Sequence, residues 1–268
     1  MRKDTSHKDA NYMLLVHQAR EYKIVFSNNL IQEGILPELT VFEYRVFLYI
    51  VSRIKPLTPG MPITESVLEN SLEIIFLCDV LGIAADGHNY QLIKKAVKSL
   101  RDKSRWVPHN NEETTVSILS KCTISKGSGT IRYRIDEDIV PYLYGLCENT
   151  TRASLVNLLR MSRASSYTLY LLCRSYVGMR IYTVSYAQLR RLLHVADTAY
   201  TKFSQFERCV LSVAIDDINK YSDITVQYTT SRIGRSTSSI NFVLRKKKQL
   251  DAYRVYCDTS EYLDNRIK

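Results

Sequence analysis

Twice along this 268-residue chain a helix is followed by a short helix, a turn, a longer helix and a β-hairpin. That order predicts a helix-rich α+β fold of two tandem winged helix-turn-helix domains. Two further observations agree with it: the length suits about two ordinary domains, and the basic excess is confined to one part of the chain. A composition of 45% hydrophobic and 24% charged residues, with few Gly and Pro, excludes collagen-like or linker-dominated sequence.

In the first unit a helix begins at Thr40, whose hydroxyl can cap it while Glu43 reaches back to the Thr40 amide. Val41, Tyr44, Phe47, Leu48 and Val51 recur at helical spacing, and the helix must stop before Pro56. Pro59, Gly60 and Pro62 make a loop that leads into a small strand at 72–76. A short helix at about 77–81 and a turn from Gly82 to Gly87 precede a longer helix at about 88–103. Ile93, Ala96, Val97 and Leu100 form its inner stripe, and Gln91, Lys94, Lys95 and Lys98 face outward. Residues 115–122 are rich in β-formers, the KGSG of 126–129 makes a turn, and Ile131, Tyr133 and Ile135 alternate with Arg132 and Arg134. This is a hairpin, the first wing.

The second unit repeats the order. A helix at about 163–178 aligns Tyr167, Leu169, Tyr170 and Leu171 loosely with Tyr44, Val46, Phe47 and Leu48. Ser185 with Gln188 three residues on is a second capping signature, and Leu189, Leu192 and Leu193 follow it. After a turn at 194–196, Asp197 is the expected cap of a long helix reaching Lys220. Its stripe is Phe203, Phe206, Val210, Val213, Ala214 and Ile218, with Asp217 at the edge; Thr198, Thr201, Gln205 and Arg208 point the other way. Strands at about 224–230 and 239–245 flank SRIGRSTS, a second wing carrying Arg232 and Arg235.

Charge sharpens the division. Residues 1–148 hold 18 basic and 18 acidic side chains, residues 149–250 hold 16 and 5, and residues 251–268 hold 3 and 4, within a net charge of +10. The expected units are therefore a neutral N-terminal winged-helix domain (1–148), a basic C-terminal winged-helix domain (149–250) and a C-terminal tail (251–268). A local cationic surplus is the footprint of a protein that displaces counterions from a phosphate backbone. A solubilising surface is the alternative.

The residue types suit double-stranded DNA. A glutamine or arginine on the outer face of a helix in the major groove makes the paired hydrogen bonds that distinguish adenine or guanine, which fits Gln205 and Arg208. Thr198, Thr201, Lys202 and Ser204 lie where a helix start contacts phosphate. Arg232 and Arg235 can reach a neighbouring groove, and 245–248 adds four consecutive cations. In the first unit Gln91, Lys94, Lys95 and Lys98 fit an auxiliary contact. The same positions also fit the wet side of ordinary amphipathic helices.

Other chemistries find little support. The five histidines never form His-x-His, and no G-x-x-x-x-G-K-S/T loop occurs. Nineteen tyrosines make any one of them weak evidence for a nucleophile. No enzyme activity, metal or cofactor is expected. Six widely spaced cysteines read as reduced thiols, and a polar start without any long apolar run points to the cytoplasm.

The segments VFSNNLIQEG (25–34) and LTVFEYRVFLYIVSRIKP (39–56) resemble the opening pattern of the iteron-binding plasmid replication initiators of bacteria, the RepE, RepA and pi-protein family. YLYGL (142–146), the Y-x-L-Y of 167–170, and VLSVAIDDIN (210–219), with Asp217 where that family has glutamate, are similar to its later motifs. The resemblance implies a non-enzymatic initiator that clasps an iteron repeat as a monomer, helps to open an AT-rich origin, and represses as a dimer formed through the first domain. It also implies the host DnaA protein and DnaB helicase as partners. A transcriptional regulator without initiator role, and a DNA-nicking rolling-circle initiator, are the alternatives.

Overall fold

The computed structural model describes residues 10–54, 62–109, 112–125, 127–144 and 149–267. Pro56, Pro59 and Gly60 of the expected loop, Lys126, and Gly145 and Leu146 of YLYGL lie outside the described residues.

In the first unit, α1 (Ala10–Glu21), β1 (Lys23–Ser27) and α2 (Asn29–Gln32) precede α3 (Val41–Arg53). The capping box is formed: the Thr40 amide donates to Glu43 Oε2 at 2.7 Å, and the Glu43 amide donates to Thr40 Oγ1 at 3.3 Å. Next come α4 (Glu65–Leu68), β2 (Glu69–Glu73), α5 (Ile74–Leu81) and α6 (Gly87–Asp102). The strand expected at 72–76 therefore stands earlier. Only Leu72 of that apolar run lies in it; Ile74 opens α5, and Leu77 and Cys78 bury the helix. Gly82 ends α5 in the left-handed region at φ +66°, where Leu263 presses so close that an added Cβ would meet its side chain at 2.7 Å.

Two hairpins follow where one was expected: β3 (Ser104–His109) with β4 (Glu112–Ser117), and β5 (Leu119–Ser125) with β6 (Thr130–Ile135). The β-rich run 115–122 is broken at Ile118, which turns fully into the core. β2 adds to β6, giving the sheet order β2-β6-β5.

α7 (Val140–Leu143) leads to β7 (Thr150–Ser154), which pairs antiparallel with β1 in the register Lys23 to Ser154. Residues just past 148 thus close a sheet with the start of the chain. The second unit is α8 (Ala164–Tyr176), β8 (Ile181–Ser185), α9 (Tyr186–Leu192), α10 (Phe203–Phe206), a π turn (Glu207–Leu211), α11 (Ser212–Tyr221), β9 (Ile224–Ile233) and β10 (Ser236–Lys246). Its sheet order is β8-β10-β9. Residues 251–264 of the segment expected as a tail fold instead within α12 (Gln249–Asp264). It is held because buried Arg20 on α1 donates to Asp264 at 2.6 Å and to the Val80 and Asp79 carbonyls that end α5.

Buried apolar side chains from both units form one contiguous core. At its centre α3 meets α8: Tyr44 stacks on Tyr167 with ring centroids 4.9 Å apart, and the Tyr44 hydroxyl lies 2.7 Å from Thr168 Oγ1. Desolvation in this contact pushes the Tyr44 phenol up to about 12.

Candidate nucleic-acid interface

The second unit's helix-turn-helix consists of α9, the 193–202 turn, and the helix formed by α10, the π turn and α11. Ser185 caps α9 by accepting from the Gln188 amide at 3.1 Å. From α9, Arg190 turns its guanidinium into the turn and donates to the carbonyls of Ala196 (2.7 Å), Ala199 (2.6 Å), Tyr200 (3.1 Å) and Asp197 (3.4 Å). It also donates to the Tyr186 hydroxyl at 3.1 Å. A side chain 8% exposed thus holds the backbone carbonyls of four residues.

This staple corrects the expected helix start. Arg190 holds the 196–200 carbonyls in a turn, and Tyr200 sits at φ +50°, outside the right-handed helical region, so the N-cap is Lys202 and not Asp197. Thr198 and Thr201 are exposed, but they belong to the turn. Lys202, Ser204, Gln205 and Arg208 are exposed together on the cap and the first turns of the helix.

The inner stripe also moves. The π turn adds one residue per turn, so Leu211 and Ile215 join Phe206, Val210, Ala214 and Ile218 in the core, while Val213 is only half-buried. Glu207, within the π turn, accepts from the Tyr228 hydroxyl of β9 at 2.8 Å, which ties the helix to the wing. Asp217 is no edge residue. Buried, it accepts from Ser162 N (2.8 Å), Ser162 Oγ (2.9 Å) and Ser166 Oγ (2.6 Å), anchoring α11 to the start of α8.

The wing is tighter than the SRIGRSTS loop suggested. β9 and β10 run on to Ile233 and from Ser236, leaving a two-residue Gly234–Arg235 turn with Gly234 at φ +59°. Arg232 and Arg235 are exposed, and between them Ile233, at 78% exposure, is an apolar tip. The four-cation run that ends β10 and continues past it is broken. Arg245, Lys246 and Lys248 face solvent, but Lys247 Nζ donates to the Asn219 carbonyl at 2.6 Å, and burial lowers its pKa. Three cations remain outward.

In the first unit α6 exposes Gln91, Lys94, Lys95 and Lys98 on one face, as the spacing predicts. Asp86 caps that helix by accepting from the Asn89 amide at 2.7 Å, and Lys98 pairs with Asp102 one turn on. Arg190, which holds the turn, and Ile233, at the wing tip, are the positions at this surface that sequence reasoning missed. The i, i+4 pair of Tyr186 with Arg190 was a signal for the first; strand alternation toward a wing tip was a signal for the second. Among the described residues no group of three or more His, Cys, Asp or Glu is placed to hold a metal, and no helix is long and apolar enough to cross a membrane.

The family described as Initiator Replication protein, WH1 matches residues 23–174, and that described as Initiator Rep protein, WH2 matches residues 185–244. The chain belongs to the initiator Rep protein family. The two matches correspond to two tandem winged-helix domains, the first match running on through most of α8, and the fold is α+β. Among solved structures, the Pi initiator protein in complex with iteron DNA is similar at a TM-score of 0.67 and 23% identity, covering 86% of this chain and 99% of that one. Domains 2 and 3 of RctB match at a TM-score of 0.41 and 12% identity, covering 67% and 74%. No curated protein matches the chain by sequence.

Proposed function

We propose that this initiator Rep protein binds repeated double-stranded DNA sites, iterons, at a plasmid origin and promotes origin opening. The second unit (149–250) is the main DNA-binding module, and the first (1–148) supplies auxiliary contacts and dimerisation. One observation carries the reading: Lys202, Ser204, Gln205 and Arg208 stand exposed together at the start of a helix whose turn is pinned by Arg190, beside a wing bearing Arg232 and Arg235. Of these, Gln205 and Arg208 read base edges, while Thr198, Thr201, Lys202, Ser204 and the wing arginines hold phosphates. Gln91, Lys94, Lys95 and Lys98 make the first unit's backbone contact. The similar Pi initiator protein, solved in complex with iteron DNA, supports the reading.

On this reading the protein acts without covalent chemistry in the bacterial cytoplasm, recruits DnaA and the DnaB helicase, and represses its own synthesis as a dimer. The test is titration of the full chain, by fluorescence anisotropy, onto duplexes carrying tandem repeats from beside the gene and onto random duplex. Preference for the repeats by about a thousandfold or more is expected. Equal affinity for both would remove the idea.

A further inference from the structure

A cavity of about 320 Å³ opens where α3, the end of α5, residues 159–160, α11 and the C-terminal end of α12 with the turn after it meet. Three arginines, Arg45, Arg160 and Arg266, are among the residues that line it. Among the described residues none of the three forms an ion pair with a carboxylate, although the chain pairs Arg20, Arg134 and Arg174 in that way elsewhere.

Each of the three is instead aligned by neutral groups. Arg45 Nε donates to the Tyr167 hydroxyl at 3.2 Å, and Arg266 donates from Nε to the Gly82 carbonyl and from Nη1 to the Tyr262 hydroxyl, both at 3.1 Å. Arg160 lies between two rings, 4.5 Å from the Tyr221 centroid and 4.2 Å from that of Tyr262. Neutral partners fix the direction of a guanidinium without cancelling its charge, and N–H groups remain on all three. Converging, unneutralised arginines with a forked donor geometry are matched by phosphate oxygens. The volume is larger than a single phosphate needs and sits at the low end of small-molecule pockets, about 300–1,000 Å³. Ile83 and Leu159 add an apolar wall.

From this geometry we propose that the cavity binds a free nucleoside diphosphate or triphosphate, with its phosphates on Arg45, Arg160 and Arg266 and its base against the tyrosine rings and the apolar wall. The assignment does not rest on the DNA-binding reading. The ligand touches the turn that ends α5, the entry to α8 and the C-terminal helix at once, so its occupancy ties the two units to one arrangement.

The experiment is the binding of methylanthraniloyl-ADP to the full chain without DNA, followed by fluorescence anisotropy, with unlabelled ADP, pyrophosphate and adenosine as competitors. Displacement by ADP and by pyrophosphate but not by adenosine is expected. Arg266→Gln, at an exposed position, should weaken binding about tenfold or more. Arg254→Gln, exposed on α12, should leave it unchanged, and thermal melting checks that both variants fold. Absence of binding at millimolar nucleotide, equal binding by Arg266→Gln, or an effect of Arg266→Gln on duplex DNA alone would each overturn the proposal.

Discussion

Replacing Arg190 by methionine keeps the stem of the side chain and removes the fork that holds the 196–200 turn. The two shortest bonds, to Ala199 at 2.6 Å and Ala196 at 2.7 Å, come from a charged donor and contribute about 1.5 kcal/mol each. The longer bonds, from 3.1 to 3.4 Å, to the Tyr186 hydroxyl and the Tyr200 and Asp197 carbonyls contribute less. The variant should therefore lose about 3 kcal/mol, which for a chain of this size lowers Tm by about 6–12 °C. Calorimetry reads that change directly. DNA affinity should fall about tenfold or more as well, because backbone that is no longer pinned must be ordered on binding at about 1 kcal/mol per residue. Arg190→Lys retains the charge without the fork and should fall between the two. A methionine variant that melts within about 2 °C of the parent and binds the repeats as tightly would refute the staple.

Other perturbations separate the roles of neighbouring residues. Arg208→Ala should cost about 1–3 kcal/mol against one base pair and relax specificity there, as measured by competition with singly substituted duplexes. Arg235→Ala should weaken specific and random duplex alike and flatten the salt dependence by about one unit of log–log slope; a loss restricted to one sequence would contradict its wing role. Burial first, and then the nearby Arg105 and Lys103, lower the pKa of His194, so the fold favours the neutral ring. Stability from this group is complete above the unfolded value of 6.5 and is lost as pH falls from there toward the depressed folded value. His194→Gln should therefore reduce the loss of Tm between pH 7 and pH 5; an unchanged pH profile would rule the residue out.

Local signals in the sequence were accurate where the physics is local. The Thr40–Glu43 box, the cap at Ser185, the α6 stripe and the β5–β6 alternation need only neighbours within a few residues, and each stands where the spacing put it. What failed was non-local. β1 finds its partner some 127 positions away, so neither strand announces itself. α12 starts at Lys248 without a side-chain cap, and α1 buries only Val16, Ala19 and Arg20; no periodicity shows that an arginine on one pairs with an aspartate on the other. At the candidate interface, Gln205 and Arg208 were readable from helical spacing. The misplaced helix start was not, because Asp197 is a good cap by type and loses only through a guanidinium on the preceding helix.

Tyr44 and Tyr167 stand at matching places in the two units, and their rings lie face to face. Joining matching surfaces is how a homodimer closes on itself; here the closure happens inside a single polypeptide. A true homodimer presents identical reading heads and so demands a palindrome. Two heads encoded by different stretches of one gene are free of that demand, and here residues 1–148 carry no net charge while residues 149–250 are cationic. A target read by such a pair has a front and a back, and copies of it can be laid head to tail.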